Sequence, residues 1–168
     1  MRRILVTGNA GAGKTTVATA MATALDLPYL GLDAIVWRPR WVRTPRLERR
    51  QTELQHAVRD SWVVDGVSDV FLEAADAIVF LDVPRMRCFA RVARRNLPYL
   101  FRSRPGLPEN CPEIQIVPTL AKIIWQFPKS MKPKILACAR NRPYFFHIRT
   151  AKELDLATVA LKALRAKE

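Results

Sequence analysis

The chain has 168 residues, and its 28 Lys and Arg outnumber its 15 Asp and Glu to give a formal net charge of +13. This length suits one compact domain with a single core, and the basic balance favours anionic partners such as nucleotides, phosphorylated small molecules or nucleic acid. Three cysteines without a C-x-x-C pair argue against a disulfide framework and a zinc site, so we expect free thiols.

The first predicted element is a short buried strand at 4–6, which leads into a loop and a helix. The loop, 8–15, reads GNAGAGKT and fits the phosphate-binding pattern G-x-x-x-x-G-K-[ST], or Walker A, at every specified position. Its small residues let backbone N–H groups approach phosphate oxygens, and the helix that follows directs its positive dipole end at the same anion. We therefore predict an ATP site formed by Gly8, Asn9, Ala10, Gly11, Ala12, Gly13, Lys14, Thr15 and Thr16.

Two side chains of this loop have distinct predicted roles. Lys14 supplies a mobile positive charge to the β- and γ-phosphate oxygens, and the hydroxyl of Thr15 is a ligand for Mg²⁺. Thr16 follows as a further hydroxyl. Apolar residues recur at helical spacing over 17–25, so the strand, loop and helix that the pattern requires are all present.

Three more strands are predicted at 29–33, 62–66 and 77–82, and each carries an Asp near its carboxyl end. Asp33 is the first candidate for the substrate site. A short helix is expected between the last two of these strands.

The region after the second strand mixes two tryptophans, Trp37 and Trp41, with arginines. Thr44 followed by Pro45 resembles a helix cap with Pro at the first helical position, and we expect that helix to continue to about residue 60. The two tryptophans are typical of core or pocket-cover residues, although interleaved aromatics and arginines also suit nucleic-acid binding.

A basic helix is predicted after residue 84, and a proline-rich stretch follows it. Its arginines crowd at spacings of three and four and repel one another, which suits either a neighbouring polyanion or a solvated basic face. We predict a lid over about 91–115. The arginines of this region are Arg85, Arg87, Arg91, Arg94, Arg95, Arg102 and Arg104.

The last third predicts helical segments over 118–141, bent near Pro128 and Pro133, then a strand at 144–148 and a helix at 151–166. Strands separated by helices predict an α/β fold with a five-stranded parallel sheet and helices on both faces. Ligands of such folds bind outside the carboxyl ends of the strands, where the loop and the acidic residues meet.

On these residues the chain resembles the small P-loop kinases of the adenylate kinase type, and within them it is most similar to the DNA topology modulation, or FlaR-related, proteins. The features that carry the finer resemblance are Leu32-Asp33 with Trp37, the strand at 62–66 and Cys111-Pro112-Glu113. The resemblance covers nearly the whole chain. It implies the three-layer P-loop kinase fold with a helical lid, and use of ATP with Mg²⁺.

The resemblance also implies roles for individual residues. Asp65 is similar to the adenylate kinase Asp that orients waters around Mg²⁺, and Arg91 and Arg95 match two arginines directed at nucleotide phosphates. Asp33 looks like the shikimate kinase Asp that binds a substrate hydroxyl, with a helix cap as the alternative. Thr150 lies in the loop that contacts adenine in similar kinases.

One departure bears on the acceptor. Adenylate kinases carry an Arg after the Asp-Gly pair, and it holds the acceptor phosphate; here Val67-Ser68-Asp69 follows Gly66, which argues against AMP. The leading hypothesis is a phosphotransferase that moves the γ-phosphoryl of ATP to a small nucleoside, nucleotide or hydroxylated acceptor. The alternative is a nucleotide-dependent nucleic-acid-binding protein. The acceptor, the oligomeric state and the roles of Arg94, Arg102 and Arg104 stay open.

The sequence also predicts a cytoplasmic protein without a membrane partner. The N terminus runs straight into a strand with no secretory signal before it. The longest apolar region, 114–139, is interrupted by prolines and lysines, which is not typical of a membrane span.

Overall fold

The computed structural model describes residues 1–103, 109–139, 142 and 144–166. The strands are β1 (Arg3–Gly8), β2 (Tyr29–Gly31), β3 (Trp37–Arg38), β4 (Val42–Arg43), β5 (Trp62–Asp65), β6 (Ala77–Leu81) and β7 (Tyr144–Ile148). The α-helices are α1 (Lys14–Leu25), α2 (Asp33–Val36), α3 (Arg46–Ala57), α4 (Asp69–Ala74), α5 (Arg85–Asn96), α6 (Glu113–Ser130), α7 (Lys132–Ala139) and α8 (Ala151–Arg165). Short 3₁₀ turns occupy Pro39–Trp41 and Leu97–Tyr99.

Five strands form one parallel sheet in the order β2-β5-β1-β6-β7. The central strand β1 pairs with β5 on one side, where Val6 lies opposite Asp65, and with β6 on the other, where Gly8 lies opposite Leu81. Because the strands are parallel, their carboxyl ends share one edge of the sheet. The predicted parallel sheet is confirmed, and it brings the glycine-rich loop beside Asp65.

The sheet is covered on both faces, as predicted. Successive side chains of a strand point to opposite faces. Val6 therefore packs in a core with Met21 of α1 and Leu161 of α8, whereas Leu5 packs in a second core with Phe71 of α4. All five side chains are almost completely buried. Burial on both faces explains why the central strands are continuous apolar runs.

The chain after α2 forms a small antiparallel hairpin, β3–β4, which the sequence did not predict. Trp37 and Trp41 pack edge to face with ring centroids 5.3 Å apart, and the Arg43 guanidinium lies 5.3 Å from the Trp37 ring centre. The Trp41 indole N–H donates to the carbonyl of Pro112 at 2.9 Å, and its backbone N–H donates to Sγ of Cys111 at 3.4 Å. The hairpin is thus bonded to the chain just before α6.

Three predicted boundaries between the second strand and the end of α3 were wrong. The second strand ends at Gly31, and Asp33 begins α2, because the Leu32 carbonyl accepts backbone N–H groups from the following helical turn. The predicted Thr44 cap is absent: Pro45 is the N-cap of α3 and no side chain caps that helix. The same helix ends at Ala57 rather than near residue 60.

The start of the helical region near 118 was also wrong, since α6 already begins at Glu113 and contains both Pro118 and Pro128. Interior prolines remove a backbone hydrogen bond and crowd the preceding turn. Here burial of Ile124 and Phe127 against the sheet outweighs that cost. The chain breaks instead at Met131, between α6 and α7. Arg104, with the rest of 104–108, and the predicted helix end at 140–141 lie outside the described residues.

Candidate nucleotide site

The loop between β1 and α1 has a backbone shape that requires glycine at position 11. Gly11 adopts a positive φ of 78°, and a Cβ atom there would lie 2.6 Å from the carbonyl oxygen of Cys88 and 2.7 Å from Cγ2 of Val92. Both observations require glycine. Gly13 is the N-cap of α1, so Lys14 and Thr15 stand on the first turn of that helix.

Asn9 fixes this loop to the rest of the protein. Its buried side chain donates from Nδ2 to the carbonyl of Ile124 at 3.0 Å and accepts at Oδ1 from the N–H of Ala10 at 2.8 Å. Its carbonyl oxygen accepts from the N–H of Ala12 at 3.1 Å. A buried amide with these partners holds the loop open as a rigid cradle.

The ammonium group of Lys14 lies inside this cradle, where Nζ donates to the carbonyl of Asn9 at 3.0 Å. Burial lowers the pKa of Lys14, while the charges of Asp33 and Asp65 act in the opposite direction. The charged form is thus poorly solvated, and an anion in the cradle would stabilise it.

Thr15, assigned to the metal by the loop motif, and Asp65, assigned to it by the family resemblance, are hydrogen-bonded to each other. The Thr15 hydroxyl donates to Oδ2 of Asp65 at 2.6 Å. Asp65 is buried at the end of β5, and its backbone position is set because the Gly66 N–H donates to the carbonyl of Val6. A hydroxyl and a carboxylate side by side are oxygen donors of the kind that Mg²⁺ prefers.

The sequence analysis missed Tyr29, whose hydroxyl donates to Oδ1 of Asp65 at 2.9 Å. Burial raises the pKa of Tyr29, and the charge of Asp65 raises it further, so the phenol stays protonated. A Cβ atom on Gly31 would lie 2.9 Å from that hydroxyl. The small residue two places along the same strand therefore leaves room for the tyrosine to reach Asp65, and this spacing is the one signal that the sequence offered.

Two arginines of α5 lie beside the loop. Nη1 of Arg91 donates to the carbonyl of Ala12 at 3.1 Å. Nε of Arg95 donates to Oδ1 of Asn96 at 3.0 Å, and the charge of Arg95 contributes to lowering the Lys14 pKa. The structure thus brings together the loop, its lysine and the two arginines that the sequence selected.

Comparison with known proteins gives matches to solved structures, whereas no family model and no curated protein sequence matches the chain. A shikimate kinase from Acinetobacter baumannii, in complex with shikimate, has a TM-score of 0.60 and 18% identity over 100% of this chain and 95% of its own. A gluconokinase from Sinorhizobium meliloti 1021 has a TM-score of 0.54 and 15% identity over 97% and 94% of the two chains. A shikimate kinase from Bacteroides thetaiotaomicron has a TM-score of 0.53 and 20% identity over 97% of each.

The fold is that of the small P-loop kinases. Parallel α/β sheets bind ligands outside the carboxyl ends of their strands, and Asp33 lies at that edge as the first residue of α2. Its side chain is exposed, and its charge raises the pKa values of both Lys14 and Tyr29. Asp33 therefore faces the same space as the loop lysine.

Two residues assigned to the nucleotide have other contacts in this P-loop kinase fold. Thr150 is the N-cap of α8: its hydroxyl accepts from the N–H of Glu153 at 3.2 Å, and the Glu153 carboxylate accepts the Thr150 N–H in return. Thr16 is exposed on α1, and its carbonyl accepts from the hydroxyl of Thr19. A contact of Thr150 with adenine stays a prediction.

A charged cluster at the same edge escaped the sequence analysis. The carboxylate of Asp82 accepts two bonds from Nζ of Lys132, at 2.9 and 2.7 Å, and lies 2.8 Å from Nε2 of His147. Arg149 Nε is 3.6 Å away. Burial raises the pKa of Asp82, but the hydrogen bonds from Lys132 and His147 outweigh it and hold the pKa below its ordinary value. The cluster joins α7 to the ends of β6 and β7.

Proposed function

We propose that this protein is an ATP-dependent phosphotransferase that moves the γ-phosphoryl group to a hydroxyl of a small molecule. The observation that carries the proposal is the convergence at one sheet edge of Lys14, the Thr15–Asp65 pair and Arg91. A glycine cradle, a lysine, a hydroxyl–carboxylate pair and a nearby arginine are the groups that phosphoryl transfer requires. The similarity to solved kinases supports the fold in which these groups act.

The donor set fits a magnesium ion held with the nucleotide. The hydroxyl of Thr15 would be a direct ligand, and Asp65 would hold water ligands, while Tyr29 keeps the carboxylate oriented. When bound, the ion would neutralise part of the negative charge of the phosphates.

Different side chains have different roles in the chemical step. Lys14 contacts the β- and γ-phosphate oxygens, and Arg91 and Arg95 stabilise the charge on the transferring group. Asp33 accepts the proton of the acceptor hydroxyl while the oxygen of that hydroxyl forms a bond to the γ-phosphorus. The bond between the γ-phosphorus and the β,γ-bridging oxygen breaks at the same time, and ADP leaves. Supporting these roles, Lys14 lies on the loop, Arg91 donates to the Ala12 carbonyl, and the charges of Asp33 and Arg95 act on Lys14.

The acceptor belongs, on this proposal, to the hydroxylated small molecules rather than to AMP. The three residues directly after Gly66, Val67-Ser68-Asp69, include no arginine. Ser68 has a structural role there, since it caps α4 and its hydroxyl donates to Glu53 at 2.9 Å. This segment therefore stabilises the packing of α3 against α4 instead of holding an acceptor phosphate. Asp33, by contrast, is an exposed carboxylate at the start of α2, and a carboxylate there is suited to orienting a hydroxyl.

The positive net charge still favours the nucleic-acid alternative, but the two tryptophans no longer do. Trp37 and Trp41 pack against each other, Arg43 lies over Trp37, and the Trp41 indole donates to Pro112. Aromatic faces used within the protein are poor stacking platforms for bases. The resemblance to DNA topology modulation proteins accordingly adds no step to the proposed activity.

The test is ADP release with ATP and Mg²⁺ across a panel of polyols, sugar acids, cyclic hydroxy acids, nucleosides and nucleotides. We expect acceptor-dependent ADP release with a hydroxylated compound and its loss in Lys14→Ala. Lys152→Ala, which removes an exposed lysine of α8, is the matched control and should behave as wild type. Equal turnover in wild type and Lys14→Ala would overturn the proposal.

A further inference from the structure

A strip of exposed apolar side chains runs along α5 and α6, outside the nucleotide site. Exposed fractions reach 68% for Met86, 69% for Leu97, 83% for Phe101 and 55% for Trp125. Large apolar side chains so exposed and so close in the fold are unusual on a protein surface and mark an interaction site. We call Met86, Leu97, Phe101, Ile114, Val117 and Trp125 the α5–α6 strip.

The strip is continuous because the two helices lie antiparallel. At one end the Arg85 guanidinium is 4.0 Å from the ring centre of Trp125, and at the other the N–H of Ile114 donates to the carbonyl of Leu100 at 3.0 Å. Ile114 and Trp125 are three helical turns apart on α6, a span of about 16 Å. Met86 on α5 and Leu97, the first residue of the 3₁₀ turn that follows α5, have the same separation in sequence. The two rows flank the line where the helices meet.

Positive charge surrounds this apolar strip. Helix α5 contains no acidic residue, and the single acidic residue of α6, Glu113, is buried. No carboxylate within the described ranges forms an ion pair with Arg87 or Arg94, which are exposed on α5. The exposed basic side chains next to the strip are Arg85, Arg87, Arg94, Arg102, Lys122 and Lys129.

The charge and the apolar character of the α5–α6 strip together indicate what kind of partner binds it. A second copy of the same surface would bring two basic rims together, and like charges oppose that contact. Single-stranded nucleic acid would stack on several aromatic faces, but Arg85 lies over the Trp125 ring, which leaves Phe101 as the other aromatic ring of the strip. Aliphatic side chains such as Leu97 have no counterpart on a nucleic acid. An anionic lipid surface matches both the aliphatic strip and its basic rims.

We propose that the α5–α6 strip binds the surface of a membrane that contains anionic lipids. Phe101 and Leu97 enter the boundary between headgroups and acyl chains, while Arg87 and Arg94 pair with lipid phosphates and carboxylates. Within 1–103, 109–139, 142 and 144–166 no helix is long and apolar enough to cross a bilayer, so the contact is peripheral. The sequence analysis predicted no membrane partner, and this proposal departs from that prediction.

The experiment is co-sedimentation of the full chain with vesicles of phosphatidylcholine containing about 30% phosphatidylserine, with pure phosphatidylcholine vesicles alongside. We expect binding to the anionic vesicles that is at least about tenfold tighter than to the neutral ones and that weakens with salt. The double variant Leu97→Ser with Phe101→Ser should reduce the affinity for anionic vesicles about tenfold or more. The double variant Arg87→Gln with Arg94→Gln should do the same. The helical circular dichroism and melting temperature of each variant confirm that it folds.

Matched controls remove similar groups elsewhere. Leu156→Ser with Val159→Ser acts on exposed apolar residues of α8, and Arg46→Gln with Arg50→Gln acts on exposed arginines of α3. Both should bind vesicles as wild type does. No binding to anionic vesicles, or equal loss in the controls, would overturn the proposal. So would binding of poly-dT or self-association, seen in place of vesicle binding and abolished by the strip variants.

Discussion

The hydroxyl of Thr15 donates a 2.6 Å hydrogen bond to Oδ2 of Asp65, although the two residues are 50 positions apart in the sequence. One stands on the first turn of α1 and the other at the end of β5, and the pairing of β1 with β5 sets the distance between them. The pair proposed to hold magnesium is therefore built by the central strands of the sheet.

Replacing the Asp65 carboxylate tests this role directly. Asp65→Asn keeps the shape and removes the charge, so we expect turnover to fall by about 10- to 100-fold, with a higher magnesium requirement. Steady-state rates at several Mg²⁺ concentrations measure both effects. Asp60→Asn, at an exposed position before β5, is the control and should leave both unchanged. Wild-type magnesium dependence in Asp65→Asn would contradict the assignment.

We expect Tyr29 to affect stability and ATP binding through its hydrogen bond to Asp65. Tyr29→Phe removes the hydroxyl that donates to Oδ1, and we expect the free energy of unfolding to fall by about 1 kcal/mol. Magnesium-dependent ATP affinity should fall with it, since the carboxylate is then less firmly oriented. Urea titration and calorimetry measure the two quantities. Tyr144→Phe, at the other edge of the sheet, should affect neither.

Asn9 links the loop to α6, and replacing it should lower both the stability of the protein and its affinity for ATP. Asn9→Ala leaves the carbonyl of Ile124 and the N–H of Ala10 without these partners, which we expect to lower the free energy of unfolding by about 1–3 kcal/mol. ATP affinity should fall as well, because the loop loses its anchor. Gln126→Ala, an exposed amide on α6, serves for comparison in the same urea titration. Equal stability of the two variants would show that the anchor is unimportant.

The Asp82 cluster predicts a dependence of stability on pH. Because the folded-state pKa of Asp82 lies below its ordinary value of 3.8, the cluster stabilises the protein fully above about pH 4. That stabilisation is lost as the pH falls through the lowered folded pKa, where the carboxylate is protonated. Free energies of unfolding of wild type and Asp82→Asn should differ at pH 6 and approach each other at the acid end. A difference that stays constant with pH would mean that the ionised carboxylate contributes nothing.

The sequence predicted those parts of the site that a local pattern specifies. The loop from Gly8 to Thr15 was predicted by its motif, whereas Arg91 and Arg95 were implied by the resemblance to adenylate kinases. The structure brings all of them to one edge. The parallel sheet was predicted because its strands are short apolar runs separated by helices.

The remaining contacts were missed since they join distant residues. Tyr29 meets Asp65 across 36 residues, Lys132 meets Asp82 across 50, and Trp41 meets Pro112 across 71. Register and helix packing decide which of many polar side chains meet, and neither is encoded in a local pattern. The start of α6 was misplaced for a related reason, because Pro118 is unfavourable locally and is tolerated only through burial of its neighbours.

The bond from Asn9 to the carbonyl of Ile124 spans 115 residues. A chain emerging from the ribosome exposes its complete Walker A pattern first, and the carbonyl that locks the loop is made only 115 residues after Asn9. Competence to hold nucleotide therefore arrives late in synthesis, and N-terminal fragments that end before α6 should carry the motif without the preformed cradle.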